Sequence, residues 1–169
     1  LFGALEFYQQ ALKAGIKPVV GCEVYVAPKS RKTRGDASRA KEASYHLTLL
    51  SRNLTGYLNL IKLVSTAYQD GFYYRPRVDK ELLQENSEGL IALSGCLAGE
   101  ICRLVMNDRL DKGRAVAEFY RDCFGKDNFF LEVMENGLDD QTTANKGLAE
   151  ISKATKIPLV ATNDIHYLT

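Results

Sequence analysis

Short apolar segments alternate with helical segments along nearly the whole chain, and this order constrains the fold more than any other feature. The strand-like segments lack a clean alternation of apolar and polar residues, which is typical of parallel sheets covered by helices on both faces. The pattern therefore predicts an α/β fold, built either as an open doubly wound sheet or as a (β/α) barrel. These segments are 18–26, 45–51, 89–94, 128–134 and 157–162.

The segments between the strands carry an apolar residue at every third or fourth position, as amphipathic helices do. Asp79 is placed to cap a short helix. The apolar faces predicted for three longer helices comprise Tyr57, Leu58, Ile61, Val64 and Tyr68 in 54–69; Val116, Phe119, Tyr120 and Cys123 in 111–123; and Ala144, Leu148 and Ile151 in 139–155.

One observation favours the barrel over the open sheet, and a second indicates that the barrel is incomplete. No glycine-rich phosphate-binding motif follows any of the strands, which weighs against a nucleotide-binding open sheet. Five strand–helix units are too few to close a barrel. The sequence therefore predicts a partial (β/α) barrel that lacks its first strands.

The chain begins at Leu1 inside a helical pattern formed by Phe2, Leu5, Tyr8 and Leu12, and no capping residue precedes it. We therefore expect this sequence to be a fragment of a longer polypeptide. Residues 1–169 are expected to form one domain, because 169 residues with 46% apolar content suit a single core.

Charge and cysteine content exclude several classes of protein. A net charge of +1 rules out a binder of nucleic acid driven by a basic tail. No apolar run approaches the roughly 18 residues of a membrane span. The four cysteines show no CxxC spacing, so a zinc ribbon or disulfide framework is not expected. Free thiols in a reducing cytoplasm are the expectation.

The last strand leads into Asp164 and His166, which point the same way in an extended segment because side chains alternate with period two. A carboxylate beside an imidazole suits a divalent metal or an acid–base pair. A surface ion pair is the alternative interpretation.

Cys96 follows the strand 89–94 and precedes a helical segment, so the helix dipole is expected to favour its thiolate form. A small buried side chain is the alternative. His46 lies within a strand, either as a core histidine bonded to main chain or as a side chain directed into the barrel. Core packing is expected to explain Cys22, Cys102 and Cys123.

Glu23 and Glu132 each interrupt an apolar strand, and a buried carboxylate without a partner is very costly. Glu23 is therefore expected at an edge or beside a partner, and a cation would serve as one. For Glu132, a main-chain or arginine partner is favoured over a metal.

Taken together, five metal-type side chains lie on strands or at strand ends, and a barrel would bring them to one place. Mixed nitrogen, oxygen and sulfur donors suit zinc, with manganese or magnesium as alternatives. The five predicted ligands are Glu23, His46, Cys96, Asp164 and His166.

A basic segment, 29–41, lies between two strands and includes Arg31, Lys32 and Arg34. It is interpreted either as a solvated loop or as a contact to DNA phosphates, which clustered basic residues bind without sequence preference. The aromatic segment 72–77 could stack on bases. A packed loop or an interface is the favoured interpretation of that segment.

Several motifs, in order, resemble the polymerase-and-histidinol-phosphatase (PHP) domain of bacterial DNA polymerase III alpha subunits along 1–169. They are GCEVYV, YHLTLL, GYLNLIKLVS, GFYYRPR, GLIALSGCLAGE and ATNDIHYL. The resemblance implies a distorted seven-stranded barrel with up to three metals, phosphoester hydrolysis and, in some members, 3′–5′ exonuclease activity. It makes Glu23, His46, Cys96, Asp164 and His166 the metal ligands. The family's opening His-x-His motif has no counterpart here.

The resemblance implies a fragment of a replicative DNA polymerase whose partners are the rest of the alpha subunit and DNA. The fragment alone is expected to be inactive, because several imidazoles of the metal cluster are missing. One alternative is a scaffold that stabilises the polymerase and docks the proofreading exonuclease subunit. A stand-alone PHP phosphatase is the other, and the GFYYRPR and GYLNLIKLVS segments argue against it.

Overall fold

A computed structural model describes residues 1–34 and 44–165. Within these ranges the chain forms six helices and six strands. The helices are α1 (Ala4–Lys13), α2 (Leu54–Gln69), α3 (Lys80–Glu85), α4 (Glu100–Met106), α5 (Leu110–Phe124) and α6 (Asp139–Thr155). The strands are β1 (Gly21–Val26), β2 (Tyr45–Ser51), β3 (Arg77–Val78), β4 (Leu90–Leu93), β5 (Phe129–Val133) and β6 (Leu159–Ala161).

The six strands form one sheet in the order β3-β1-β2-β4-β5-β6. The β1–β3, β4–β5 and β5–β6 pairs are all parallel. The α/β prediction is confirmed, and each of the five predicted strands is present. β3 was not predicted, because two residues are too few to show any periodicity.

The first of two compact units comprises Leu1–Ser44 and Thr48–Ile91. Its core is aliphatic, and α2 packs against β1 and β3. Asp79 caps α3 by accepting a hydrogen bond from the Leu82 amide at 3.0 Å, so the predicted cap is confirmed. The fully buried side chains of this unit include Val26, Leu49, Leu60, Leu63, Val78 and Leu83.

The apolar face predicted for α2 is wrong by one position. The buried residues are Gly56, Leu60, Leu63 and Ala67, whereas Leu58 is 57% exposed. Gly56 explains the rotation, because a Cβ at this position would collide with the main chain of Gly89. The helix therefore turns its smallest residue inward and gains a close main-chain approach that larger apolar residues would prevent.

The second unit comprises Tyr45–Leu47 and Ala92–Thr169. Pairing of Ala92 with Phe129 and of Leu131 with Leu159 sets the register of its three parallel strands. Helices α4, α5 and α6 pack against one another, and both α5 and α6 contact β5. The largest fully buried side chains here include Leu47, Ile101, Phe129, Leu131, Leu148 and Ile151.

The apolar face predicted for α5 is also partly wrong, whereas the face predicted for α6 is confirmed. Tyr120 is buried in α5 as predicted, but Val116, Phe119 and Cys123 are only half-buried. Gly113 and Ala117 occupy the buried face instead, beside Tyr120 and Phe124. As in α2, small residues allow the helix to lie close to its neighbours.

Helix α1 forms over the predicted residues but buries none of its side chains in the described structure. Phe2, just before the helix, is 96% exposed, and Leu5 and Leu12 are 69% and 53% exposed. Among the described residues, no helix combines the length and the apolar character needed to cross a membrane.

Candidate metal centre

His46 and Cys96 lie side by side in the second unit. The Cys96 Sγ is 3.7 Å from the His46 Nδ1, and both residues are half-buried. His46 projects from β2 on the face opposite to Leu47, which is buried in the core. The structure therefore brings together two of the predicted ligands, which are 50 positions apart in the sequence.

The main chain around Gly95 holds this pair in place. Gly95 adopts φ of +81°, in the left-handed region that favours glycine, and a Cβ there would lie 2.7 Å from the His46 carbonyl oxygen. The His46 amide also donates a hydrogen bond to the Ala98 carbonyl at 3.2 Å. A parallel bridge joins His46 to Gly99. The turn that carries Cys96 is thus fastened to the strand that carries His46.

Cys96 does not directly precede a helix as predicted, because three residues separate it from the start of α4. The helix begins at Glu100, because the Gly99 amide donates to the Cys96 carbonyl at 2.8 Å and closes a turn before the helix starts. The dipole effect is confined to the first helical turn. The neighbouring His46 imidazole is instead the group that distinguishes Cys96 from the other cysteines.

The separation of the two donor atoms fits a tetrahedral metal. Zinc–sulfur and zinc–nitrogen bonds of about 2.3 and 2.05 Å, at a tetrahedral angle, place the two ligand atoms about 3.6 Å apart. The observed distance between Cys96 Sγ and His46 Nδ1 is 3.7 Å. One zinc ion could therefore bind both atoms without a large change in either side chain.

Glu23 lies on β1 in the first unit, and its side chain is exposed. β1 lies between β3 and β2, so the predicted edge position of Glu23 is wrong. Because the Glu23 side chain is exposed, its carboxylate does not incur the desolvation penalty that a buried carboxylate on this strand would incur. The Glu23 carboxylate is a donor type that divalent metals accept.

Asp164 follows β6 and is half-buried, with φ of +49°. A left-handed conformation is tolerated by aspartate better than by most residues. His166 lies outside the described residues, so its pairing with Asp164 stays a prediction. Convergence of all five predicted ligands also stays a prediction.

The remaining cysteines differ in their surroundings. Cys102 is buried in α4, as core packing predicted. Burial, and to a smaller extent the nearby Cys96 and Glu132, raise the pKa of Cys102 to about 12. Burial also raises the pKa of Cys22, which is half-buried, as is Cys123. Cys102 is therefore a protonated thiol at neutral pH and a poor metal ligand.

The basic segment is partly engaged by other groups of the first unit. The Arg31 side chain is 12% exposed and contacts Asp79, while the Arg34 Nη1 donates to the Phe72 carbonyl at 2.8 Å. The Lys32 residue is exposed. Of the basic segment 29–41, the structure describes residues 29–34. A DNA contact through these three residues stays a prediction.

The aromatic segment makes local contacts, while Phe72 and Tyr74 are 47% and 54% exposed, so the choice between a packed loop and an interface stays open. Tyr73 pairs with Arg75 in an antiparallel bridge, and its ring contacts that of Tyr74 edge to face. The Arg77 guanidinium lies 5.2 Å from the centroid of the Tyr73 ring. Cation–π contact of this kind fixes the loop without removing the charge.

Comparison with protein families matches residues 1–136 to the PHP domain. The chain belongs to the PHP domain family. The resemblance noted in the sequence motifs is thereby confirmed, and the six-stranded α/β sheet is consistent with a PHP-type fold. A PHP domain and the His46 and Cys96 donors together suggest a divalent metal.

Curated relatives of this PHP domain are named DNA polymerase III subunit alpha. The relative from Thermus aquaticus is 46% identical over 168 residues, which is 99% of this chain and 14% of that protein. The relative from Treponema pallidum is 47% identical over 167 residues, also 99% of this chain and 14% of that protein. The chain thus spans about one seventh of the length of these relatives.

Proposed function

We propose that this PHP domain binds a divalent metal and provides phosphoesterase chemistry, including 3′–5′ exonuclease activity, within a bacterial DNA polymerase III alpha subunit. The observation that carries the proposal is the 3.7 Å separation of Cys96 Sγ and His46 Nδ1, which matches the spacing of two ligands on one metal. The names of the curated relatives support the polymerase context.

The proposed ligands are Glu23, His46, Cys96, Asp164 and His166. Zinc is the favoured metal because thiolate and imidazole are ligands that it binds well, and manganese or magnesium would suit a set dominated by carboxylates. Cys96 must lose its proton and His46 Nδ1 must be unprotonated for either atom to bind a metal. Metal uptake is therefore expected to fall as the pH is lowered.

A divalent metal at such a site supplies hydroxide at neutral pH and stabilises charge on phosphoester oxygens. The residues of the chain supply the geometry. The Gly95 turn holds the Cys96 thiol against His46, and β2 fixes the direction of the imidazole. No separate protein base is assigned.

The remaining assignments extend the proposal to the whole protein. We assign residues 1–169 to one PHP domain, and its sheet to a distorted seven-stranded barrel. The rest of the alpha subunit, DNA and the proofreading exonuclease subunit are the proposed partners, in the bacterial cytoplasm. Exposed apolar residues on and beside α1, including Phe2 and Leu5, support a surface that other parts of the subunit cover.

The test is metal analysis of the complete polymerase subunit that carries this domain. Wild-type protein should contain tightly bound divalent metal, and Cys96→Ala should lower the metal content by at least one equivalent or weaken its binding 10-fold or more. Cys22→Ala is the matched control, since Cys22 is another half-buried thiol and is not one of the proposed ligands. Wild-type protein without bound metal, or equal metal content in all three proteins, would refute the proposal.

Nuclease assays then separate catalysis from a scaffolding role. The double variant Asp164→Ala/His166→Ala should lose 3′–5′ hydrolysis of a labelled single-stranded DNA while polymerase activity persists. Equal nuclease rates in the double variant and the wild type would leave only a structural role for the metal. The 169-residue chain alone is expected to show negligible nuclease activity, since the His-x-His motif has no counterpart in it.

A further inference from the structure

We propose that Glu132 is a positioning residue for the metal centre, because its carboxylate ties the Cys96 turn to the segment that leads to Asp164. This inference rests on the proposed metal site and goes beyond the ligand set. Glu132 lies on β5 and is 6% exposed. It is not one of the five proposed ligands.

The first contact holds the residue next to Cys96. The Gly95 amide donates a hydrogen bond to the Glu132 Oε2 at 3.0 Å. Gly95 is the residue whose left-handed conformation and close approach to His46 set the direction of the Cys96 turn. An amide bonded to a carboxylate makes a stronger hydrogen bond than one bonded to a neutral acceptor. Glu132 therefore acts on Cys96 through one intervening peptide.

The second contact reaches the end of β6. The Thr162 hydroxyl donates a hydrogen bond to the Glu132 Oε1 at 2.7 Å, and the Thr162 amide donates to the Val133 carbonyl at 3.1 Å. Asp164 follows two residues later. One carboxylate thus uses its two oxygens on two loops, each of which carries a proposed ligand.

The main chain of Glu132 is anchored as firmly as its side chain. Its amide donates to the Ser94 Oγ at 2.8 Å, and the Ser94 amide donates to the Phe130 carbonyl at 3.0 Å. These bonds continue the parallel β4–β5 pairing, in which Leu93 faces Phe130. The carboxylate therefore projects from a rigid part of the sheet, which a positioning role requires.

Burial makes a purely packing role a poor account of this residue. An apolar side chain of similar volume would fill the space without the desolvation penalty of a carboxylate. The sequence interpretation of Glu132 favoured a main-chain or arginine partner, and the Gly95 amide is such a main-chain partner. What that interpretation missed is where the partner lies, since the Gly95 turn adjoins Cys96 only in the folded chain. Outer residues that orient ligands typically change metal affinity 10- to 100-fold when replaced.

The test compares Glu132→Leu, Glu132→Gln and Thr162→Val in the complete subunit. Leucine removes both acceptors, whereas glutamine can accept from the Gly95 amide and donate to the Thr162 hydroxyl oxygen. Tyr120→Phe is the matched control, because it removes a partly buried hydrogen bond to Glu100 at 3.1 Å in the same unit. The readouts are hydrogen exchange of the Gly95 amide in metal-free protein, Co²⁺ affinity, and the thiolate-to-Co²⁺ charge-transfer absorption.

Glu132→Leu is expected to speed Gly95 exchange at least 10-fold, weaken Co²⁺ binding 10- to 100-fold and reduce the charge-transfer band. In Glu132→Gln, the Gly95 exchange rate and the Co²⁺ affinity should both lie within about 3-fold of their wild-type values. Thr162→Val should weaken Co²⁺ binding less than Glu132→Leu does. Tyr120→Phe should lower stability without changing the Co²⁺ spectrum.

Two results would overturn the inference: wild-type Gly95 exchange and Co²⁺ affinity in Glu132→Leu, or equal losses in Glu132→Leu and Tyr120→Phe. If Glu132→Leu does not fold, Thr162→Val decides the matter, and an unchanged Co²⁺ spectrum in that variant counts against the proposal. If wild-type protein binds no metal, the proposed function fails, while Gly95 exchange still reports whether Glu132 holds the turn.

Discussion

Arg31 and Asp79, which are 48 positions apart, are joined by two hydrogen bonds of 2.8 Å, one from the Arg31 amide and one from its Nη1. Asp79 also accepts from the Leu82 amide and so caps α3. The Arg77 Nη2 in turn donates to the Arg31 carbonyl at 2.8 Å. One carboxylate therefore fixes the start of the basic segment, a helix end and the approach to β3.

Replacing Asp79 with alanine is expected to lower the free energy of unfolding by about 3 kcal/mol, because it removes a helix cap and leaves Arg31 without its buried partner. The control is Asp111→Ala, since the Asp111 side chain is 96% exposed and lies 3.9 Å from Arg114. That exposed pair should contribute less than about 1 kcal/mol. Chemical denaturation of both variants measures the difference, and equal losses would contradict this account of Asp79.

The Asp79 contacts also predict a dependence of stability on acid. Burial raises the pKa of Asp79, but hydrogen bonds from the Arg31 and Leu82 amides and the Arg31 guanidinium lower it more, so the net shift is downward. A depressed pKa stabilises the fold above the unfolded value of about 3.9, and this contribution disappears as the pH falls through the folded value. The difference in free energy of unfolding between wild type and Asp79→Asn should therefore become smaller below about pH 4. A difference that stays constant down to pH 2 would contradict a lowered pKa of Asp79.

Gly56→Ala is expected to destabilise the fold by about 2 kcal/mol or more, because the added methyl would collide with the Gly89 main chain. Gly3→Ala is the control, as no atom lies within 4 Å of a Cβ at that position. Thermal unfolding of the two variants tests the assignment of the α2 face. A Gly56→Ala protein as stable as wild type would mean that the helix can rotate back to its more apolar side.

The Cys102 thiol should resist alkylation in the folded protein. Burial raises its pKa to about 12, with smaller contributions from Cys96 and Glu132. Because the pKa is raised, the thiol form stabilises the fold at neutral pH, and this contribution is lost as the pH rises from about 8.5 through the folded value. Iodoacetamide at pH 8, followed by peptide mass spectrometry, should label Cys102 only after urea is added. Rapid native labelling would show that α4 opens locally.

Periodicity was enough to place most elements but not to orient all of them. α6 formed over its predicted residues with Leu148 inward, because its large apolar side chains coincide with the face that packs. In α2 the outcome depended on Gly56, which contributes no hydrophobicity and therefore no signal to a pattern of apolar residues. Helix rotation there is decided by how closely two main chains can approach.

The donor residues of the candidate metal centre could be predicted from the sequence. The main-chain geometry around them was harder to predict. His46 and Cys96 were singled out by residue type and strand position, and they meet. Cys96 was expected directly before a helix, but a turn closed by the Gly99 amide separates it from α4. Such a turn depends on the close fit of Gly99 to Ser94, which sequence spacing alone does not reveal.

The close approach of Gly95 to the His46 main chain has an entropic consequence. The main-chain positions of His46 and Cys96 are fixed when the backbone folds. An ion binding at the proposed site would therefore avoid part of the ordering penalty that flexible ligands impose. In that case a residue without a side chain would contribute to the affinity for the ion.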